Sequence, residues 1–292
     1  MFLTGSMVAI VTPMLDNGSI DFPALQALVE WHIQEKTSAI VVAGTTGESA
    51  TLGPEEHTQL VTHVVKQVNR RIPVIAGSGT NSTQTTLILS ENAKKAGADA
   101  CLLVTPYYNK PTQNGLFEHY KTVAQKIDIP IILYNVPGRT ACDLLPATVE
   151  RLSTVPHIVA IKEATGQLER AQEIMQRCDK QFAVYSGDDA TALSLLRHGA
   201  QGVISVTANI APAKMQAMCT AVCQQEYTLA EKINEELMLL HQRLFIETNP
   251  IPSKWALQQM GKIKGGIRLP LLPLDNQYHL AVKEAMQRAG VN

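Results

Sequence analysis

The chain has 292 residues, of which 45% are hydrophobic and 17% are charged, and its formal net charge is −1. This length can bury a large core, and a barrel of roughly 250 residues commonly forms one domain. A nearly neutral chain without a long basic run gives little electrostatic support for binding nucleic acid or a membrane surface, so we expect small-molecule partners.

Short apolar runs alternate with longer amphipathic stretches, which is typical of parallel βα units. The predicted strands are 7–12, 39–43, 73–76, 100–104, 130–134, 158–162, 182–185 and 202–206. The helices predicted to follow them begin near residues 21, 54, 82, 115, 146, 168, 190 and 212. Asp21 is expected to cap the first of these helices, which should extend to Glu35.

The strands are continuous apolar runs, as expected of buried parallel strands. Eight such units predict an α/β fold, the (β/α)8 TIM barrel, over residues 1–226. An open doubly wound sheet is the alternative, but the first strand lacks G-x-G-x-x-G, and the G-S-G at 77–79 is too short. Three further helical stretches, 229–245, 252–260 and 277–289, predict a C-terminal helical subdomain over 227–292, packed on the barrel.

Two features indicate a reducing compartment, and we expect a cytoplasmic protein. Residues 1–14 contain no Lys or Arg and are interrupted by Gly5 and Pro13, unlike a signal peptide. The cysteine count is odd, at five, and only Cys219 and Cys223 are close in sequence, so we expect mostly buried thiols. No His or Cys cluster accompanies them, and we expect no metal site.

Polar residues and glycines gather where the predicted strands end, which is the face on which (β/α)8 enzymes build active sites. Lys162 is the sharpest example, because it ends a buried strand and lysine is seldom buried without a partner. It could pair with Glu163, although neighbours on a strand point to opposite sides. Alternatively, apolar surroundings would favour the neutral amine that Schiff-base chemistry requires.

Other residues at this face have two interpretations each. Tyr134 could relay protons or simply pack in the barrel wall. Thr45 and Thr46, between two glycines, could bind a carboxylate or form a plain tight turn. Arg139 could clamp a carboxylate or be a solvated surface residue. The Asp188-Asp189 pair is more typical of a helix cap than of a metal site.

Taken together, these segments closely resemble the dihydrodipicolinate synthase / N-acetylneuraminate lyase family. The matching motifs are VTPM at 11–14, GTTGES at 44–49, VTPYYN at 104–109, LYNVPGRT at 133–140, IKEATG at 161–166, SGDDA at 186–190, GVISVTAN at 202–209 and NPIPSKW at 249–255. The resemblance implies a Schiff-base barrel with a helical C-terminal subdomain. It also implies a homotetramer of two tight dimers and no cofactor.

The resemblance assigns roles residue by residue. Lys162 matches the lysine that forms an imine with pyruvate, and Tyr134 matches a proton-shuttling tyrosine. Thr45 and Tyr108 match its relay partners, with the Tyr108 equivalent reaching in from the neighbouring subunit. The remaining matches are to substrate-binding positions: Thr46, Ile204, Gly187 and Arg139.

Arg139 distinguishes the possible reactions, because it matches an arginine that holds the carboxylate of an aldehyde substrate. The reaction implied is condensation of pyruvate with L-aspartate 4-semialdehyde, which gives 4-hydroxy-tetrahydrodipicolinate, the first committed step towards diaminopimelate and lysine. A pyruvate-dependent aldolase acting on sugar acids or N-acetylneuraminate is the alternative. A catalytically silent barrel is the third possibility, against which the shared location of the polar residues argues.

The resemblance also implies a possible effector site for free lysine, matched at Ser49, Ala50, His57, Asn81 and Tyr107. Two positions depart from the lysine-sensitive pattern. Pro54 stands where a histidine is common, and Thr85 stands where a glutamate binds the effector's ammonium group. Losing a charge-assisted hydrogen bond costs about 1.5–3 kcal/mol, so we expect weak or absent inhibition by lysine.

Overall fold

The structure is a computed structural model that describes residues 3–291. Within that range eight strands close into a parallel barrel in which each strand pairs with the next and β8 pairs with β1. The strands are β1 (Gly5–Ala9), β2 (Ala39–Val42), β3 (Val74–Gly77), β4 (Ala100–Val104), β5 (Ile131–Asn135), β6 (Ile158–Glu163), β7 (Ala183–Ser186) and β8 (Gly202–Ser205). The predicted (β/α)8 barrel is therefore confirmed.

The first strand was predicted at 7–12 but lies earlier in the chain. Gly5 pairs with Gly202 of β8, which closes the barrel. At the other end the backbone N–H of Val11 donates to the side chain of Asn209 at 3.0 Å rather than to a neighbouring strand. The end of a strand is set by the hydrogen-bond partner of each backbone N–H. An apolar sequence run does not show which partner that is.

Alternating residues of each strand face two separate apolar layers. The inner layer fills the barrel and includes Met7, Val41, Ile75, Leu102, Ile132 and Ile204. The outer layer packs the strands against the helices and includes Val8, Ile40, Leu103, Leu133, Ile161 and Val203. The same alternation continues to the ends of the strands, so every second side chain there faces the inside of the barrel and its mouth.

The helices follow the strands as predicted, most with ends within two residues of those expected. They are α1 (Phe22–Gln34), α2 (Pro54–Val68), α3 (Thr83–Ala96), α4 (Gln113–Lys126), α5 (Pro137–Thr140), α6 (Pro146–Ser153), α7 (Leu168–Arg177), α8 (Ala192–Arg197) and α9 (Pro212–Cys223). Asp21 caps α1 by accepting from the backbone N–H of Ala24 at 3.1 Å. The short helix α5 was not predicted; Pro137 begins it, and Arg139 lies in it.

The C-terminal residues form α10 (Tyr227–Arg243), α11 (Ile251–Gln259) and α12 (His279–Arg288). Helix α10 contacts both α9 and α12, and its buried Leu237 and Leu240 belong to the outer apolar layer of the barrel. The boundary at 226/227 remains a prediction. No helix in residues 3–291 is long and apolar enough to cross a membrane. Four cysteines are buried, and Cys223 is exposed.

Candidate active site

Lys162 and Tyr134 are direct neighbours across β5 and β6 at the mouth of the barrel. Their Cα atoms are register partners, and both side chains are buried, Lys162 with 5% of its surface exposed and Tyr134 with 7%. Both follow the inward-facing alternation of their strands. The side-chain nitrogen Nζ of Lys162 lies 4.4 Å from the centroid of the Tyr134 ring. The structure thus brings together the two residues that carry the Schiff-base hypothesis.

Glu163 does not pair with Lys162. It lies on the outer side of the barrel, where its carboxylate accepts from the side-chain amide of Asn135 at 3.1 Å and from the backbone N–H of Thr165 at 2.8 Å. Arg170 lies 3.7 Å away. Burial raises the pKa of Glu163, against the opposing effect of these hydrogen bonds. Within residues 3–291, Lys162 has no carboxylate within ion-pairing distance, which removes the ion-pair interpretation.

Gly187 lies directly against Lys162, and Ile204 belongs to the inner layer of the barrel. Gly187 follows β7, and its backbone N–H donates to the carbonyl of Glu163 at 2.8 Å. A Cβ added to Gly187 would lie 2.9 Å from Cε of Lys162 and 2.6 Å from Cβ of Ala164. Ile204 is 1% exposed and belongs to the inner layer. Only a residue without a side chain fits at position 187 while Lys162 keeps this position.

Thr45 and Thr46 lie in the tight turn that follows β2, closed by hydrogen bonds from Gly47 N–H to Gly44 O and from Glu48 N–H to Thr45 O. Thr46 is 2% exposed, and its Oγ1 accepts from the side-chain amide of Asn249 at 3.0 Å. Thr45 is partly exposed and lines a cavity at the barrel mouth. The tight turn considered above is present, and the hydroxyl groups of Thr45 and Thr46 lie at the mouth of the barrel.

That cavity has a volume of about 430 Å³ and also contains Arg139. The Arg139 side chain is held at the rim by a hydrogen bond from Nη2 to the carbonyl of Asn249 at 3.1 Å. Lys162 and Tyr134 do not line this cavity. Val104 and Val136 line it and also pack against the inner layer, so the cavity adjoins the residues that fill the barrel.

Tyr108 lies apart from the other proposed catalytic residues. It is 89% exposed, and its backbone φ is +74°, a conformation that is unfavourable for a bulky side chain. Such strain persists only where the surrounding structure or a function requires it. The proposed relay from Tyr134 through Thr45 to Tyr108 is not assembled within residues 3–291 of one chain.

The expected effector residues lie beside Thr45 and Arg139, two of the residues expected to take part in catalysis and substrate binding. The same cavity is lined by Ser49, Ala50, His57, Tyr107, Pro54 and Thr85. Burial lowers the pKa of His57, which also hydrogen-bonds the carbonyl of Gly77 at 2.7 Å. Asn81 does not line the cavity; its carbonyl accepts from Asn109 at 2.8 Å. The cavity therefore joins Thr45 and Arg139 to most of the effector positions.

The two aspartates after β7 have structural partners. Asp188 accepts from the backbone N–H of Thr191 at 3.0 Å in the turn that leads into α8. Asp189 accepts from the backbone N–H groups of Val206 and Thr207, both at 2.9 Å. Residues 3–291 contain no group of His, Cys, Asp and Glu arranged to hold a metal ion. Asp188 therefore closes the turn before α8 and is not the cap of that helix, because the N-cap residue is Thr191; Asp189 holds the loop after β8.

Sequence reasoning missed three residues that contact the turn after β2 or hold it. Asn249 binds both Thr46 and Arg139. Lys254 and Glu48 form a buried ion pair, with 4% and 1% of their side chains exposed. Residues 249 and 254 lie in the motif NPIPSKW, which was recognised only as part of the resemblance. Its contacts are about 200 residues away in sequence, and no local pattern could reveal them.

Comparisons with known proteins agree over the whole chain. The profile of the Dihydrodipicolinate synthetase family matches residues 2–289. A protein of Methylococcus capsulatus named 4-hydroxy-tetrahydrodipicolinate synthase is 59% identical over 289 residues, covering 99% of each chain. One of the same name from Alcanivorax borkumensis is 57% identical over 289 residues, covering 99% of this chain and 98% of the relative.

Solved structures agree equally well. The crystal structure of the chloride-inhibited dihydrodipicolinate synthase from Acinetobacter baumannii complexed with pyruvate has a TM-score of 0.98 at 51% identity, covering 100% of both chains. Dihydrodipicolinate synthase from Aquifex aeolicus has a TM-score of 0.96 at 43% identity, covering 99% of this chain and 98% of that one.

Proposed function

The chain belongs to the dihydrodipicolinate synthetase family, and on that basis we propose which of its residues perform the family's reaction. The activity is that of a 4-hydroxy-tetrahydrodipicolinate synthase: pyruvate and L-aspartate 4-semialdehyde condense to 4-hydroxy-tetrahydrodipicolinate with loss of one water. The structural observation that supports the assignment of residues is a buried lysine, Lys162, that faces Tyr134 and has no carboxylate partner within residues 3–291.

The first half of the reaction uses Lys162 as the nucleophile. Its neutral amine attacks the ketone carbon of pyruvate, and the resulting carbinolamine loses water to give a protonated imine. Tyr134, beside Lys162, supplies the proton that leaves with the water. The imine withdraws electrons, so the pyruvate methyl group can lose a proton to the phenolate of Tyr134 and form the enamine. Thr46 and its neighbour Thr45 bind the pyruvate carboxylate, and their place in the turn after β2 supports this assignment.

The second half uses the cavity at the mouth. Arg139 binds the carboxylate of L-aspartate 4-semialdehyde and places its aldehyde carbon for attack by the enamine. The new carbon–carbon bond leaves an alkoxide, which takes the proton held by Tyr134. The amino group of the bound semialdehyde then attacks the imine carbon and displaces Lys162, which closes the ring and frees the enzyme. No metal or organic cofactor takes part in any of these steps.

We further propose that the protein is a cytoplasmic homotetramer of two tight dimers, in which Tyr108 completes the site of the neighbouring subunit. The family resemblance implies this assembly, and the geometry of Tyr108 supports it. A bulky residue that is strained yet almost fully exposed in one chain is explained if a partner subunit surrounds it.

Borohydride trapping tests the role of Lys162. Reduction in the presence of pyruvate should add one pyruvate-derived group per chain, and peptide mapping should find it on Lys162. Lys162→Arg keeps a positive charge but removes the titratable nucleophile, so it should give no label and lose nearly all activity. The matched control is Lys214→Arg, which makes the same change at a lysine whose ion pair with Glu236 lies on the outer helices; it should label as the wild type does. A label on any other residue would contradict the mechanism.

The aldehyde is tested separately, with activity assays on L-aspartate 4-semialdehyde and on sugar aldehydes. We expect turnover with the semialdehyde alone, because Arg139 at the rim of the cavity suits a small substrate with a carboxylate. A Lys162 label combined with turnover of a sugar aldehyde would keep the Schiff base but overturn the assignment of the second substrate.

A further inference from the structure

The start of α11 lies against the turn after β2, which carries the proposed pyruvate-binding residues. Two buried side chains make the contact: Asn249, which is 4% exposed, and Lys254, which is 3% exposed. Their partners, Thr46 and Glu48, are 203 and 206 residues away in sequence. The C-terminal helices therefore do more than cover the barrel, since they supply part of the wall of its active-site mouth.

Asn249 contacts the binding residues of both substrates. Its side-chain Nδ2 donates to Oγ1 of Thr46 at 3.0 Å, and its backbone carbonyl accepts from Arg139 at 3.1 Å. Because Thr46 accepts the hydrogen bond from Asn249, the hydroxyl hydrogen of Thr46 remains available to donate. A carboxylate accepts hydrogen bonds and cannot donate them, so a Thr46 hydroxyl that is free to donate suits the carboxylate of pyruvate.

Lys254 holds the end of the same turn through Glu48. The two charged groups are buried, and the second carboxylate oxygen of Glu48 accepts from the backbone N–H of Arg268 at 3.2 Å. An unpaired buried charge is costly, so Glu48 stays where the ammonium group of Lys254 meets it. Glu48 has a left-handed backbone, with φ of +57°, which is strained for a residue with a side chain. The buried ion pair with Lys254 helps to hold this conformation.

We propose that Asn249 and Lys254, together called the C-terminal clamp, are positioning residues that hold Thr45 and Thr46 ready for the pyruvate carboxylate. The proposal rests on the proposed function of Lys162. The turn between Gly44 and Gly47 is short and glycine-bounded, and ordering it only on binding would weaken the affinity for pyruvate. The clamp orders the turn before pyruvate binds, so the free energy of binding is not reduced by the cost of ordering the turn.

The test measures the pyruvate concentration that gives half-maximal borohydride labelling of Lys162, which does not depend on the aldehyde. Asn249→Ala should raise it about fivefold, the loss expected of one hydrogen bond. Asn249→Asp should raise it more, because its carboxylate would accept the Thr46 hydrogen and repel pyruvate. The KM for the aldehyde should change less than twofold in Asn249→Ala, because the backbone carbonyl that binds Arg139 remains.

The ion pair is tested with the double variant Glu48→Gln/Lys254→Met, which removes both charges and leaves no buried charge unpaired. Its half-saturating pyruvate concentration should also rise. The matched control is Lys214→Met, which removes an ion pair with Glu236 on the outer helices, 2.5 Å long. This control should label at the wild-type pyruvate concentration. Melting temperatures are measured for every variant.

The outcomes separate the two proposals. If Lys162 of the wild-type protein is not labelled, the proposed function is wrong. A defect of the clamp cannot explain that result, because the clamp is intact in the wild-type protein. If Lys162 is labelled but half-saturation stays within twofold of wild type in both Asn249 variants, the clamp is wrong, even where the melting temperature falls. In a Thr46→Ala background, Asn249→Ala should have less than a twofold effect; an undiminished effect there would also overturn the proposal.

Discussion

Gly187→Ala places a methyl group against the proposed nucleophile. Its Cβ would lie 2.6 Å from Cβ of Ala164, and 2.9 Å and 3.0 Å from Cε and Cγ of Lys162. Carbon atoms normally approach to about 3.5–4.0 Å, so Lys162 must move by several tenths of an ångström or more. Inserting a methyl group into such a site typically costs about 1–3 kcal/mol of stability. Misplacing a reacting group by about 1 Å can reduce the rate ~100-fold.

The assay combines a thermal melt with the rate of Lys162 labelling by pyruvate and borohydride. Gly187→Ala should fold with a lowered melting temperature and should label about a hundredfold more slowly. Gly138→Ala is the matched control, because an added Cβ there meets no atom within 4 Å. It should match wild type in both measurements.

A second substitution divides the effect between its two causes. Ala164→Gly removes the 2.6 Å contact but leaves the contacts with Lys162. The double variant Gly187→Ala/Ala164→Gly should therefore recover part of the lost stability while labelling remains slow. Labelling of Gly187→Ala at the wild-type rate, with an unchanged melting temperature, would refute the reasoning and show that Lys162 has room to spare.

Three further outcomes are expected. Arg139→Ala should raise the KM for L-aspartate 4-semialdehyde at least tenfold and that for pyruvate less than twofold; equal increases would indicate a general defect at the mouth. Mixing Tyr108→Phe with Lys162→Ala should restore some activity through heterodimers that hold one intact site, and proven heterodimers without activity would exclude action in trans. Free L-lysine should inhibit weakly, and Thr85→Glu should lower the half-inhibiting concentration about tenfold or more; strong wild-type inhibition below ~1 mM would contradict this.

The fold could be predicted because its signals are local. Each strand is a short apolar run, and each helix has a stripe or a cap such as Asp21, so eight units were countable from the sequence. Strand ends were harder to predict. Val11 belongs to an apolar run typical of a strand, but its backbone N–H donates to the side chain of Asn209. The helix at Pro137–Thr140 has only four residues, too few to show a periodic pattern.

The site was predictable to the extent that its residues end strands. Lys162 and Tyr134 lie next to the ends of adjacent strands, so their proximity followed from the barrel alone. The contacts of Asn249 and Lys254 did not follow, because they depend on how the C-terminal helices fold back over the mouth. The strained backbone of Tyr108 was equally invisible, since φ at a tyrosine leaves no trace in composition or periodicity.

The distance in sequence between Glu48 and Lys254 has a consequence for synthesis of the protein. A ribosome releases the turn after β2 early, long before its buried partner exists. β1 gains its neighbour β8 once residues 202–205 have emerged, but the carboxylate of Glu48 has no ammonium group to meet until residue 254 follows. By the clamp proposal, a nascent or prematurely terminated chain carries Thr45, Tyr134 and Lys162 with the turn after β2 unclamped. The full affinity for pyruvate is then acquired only as the last helices dock.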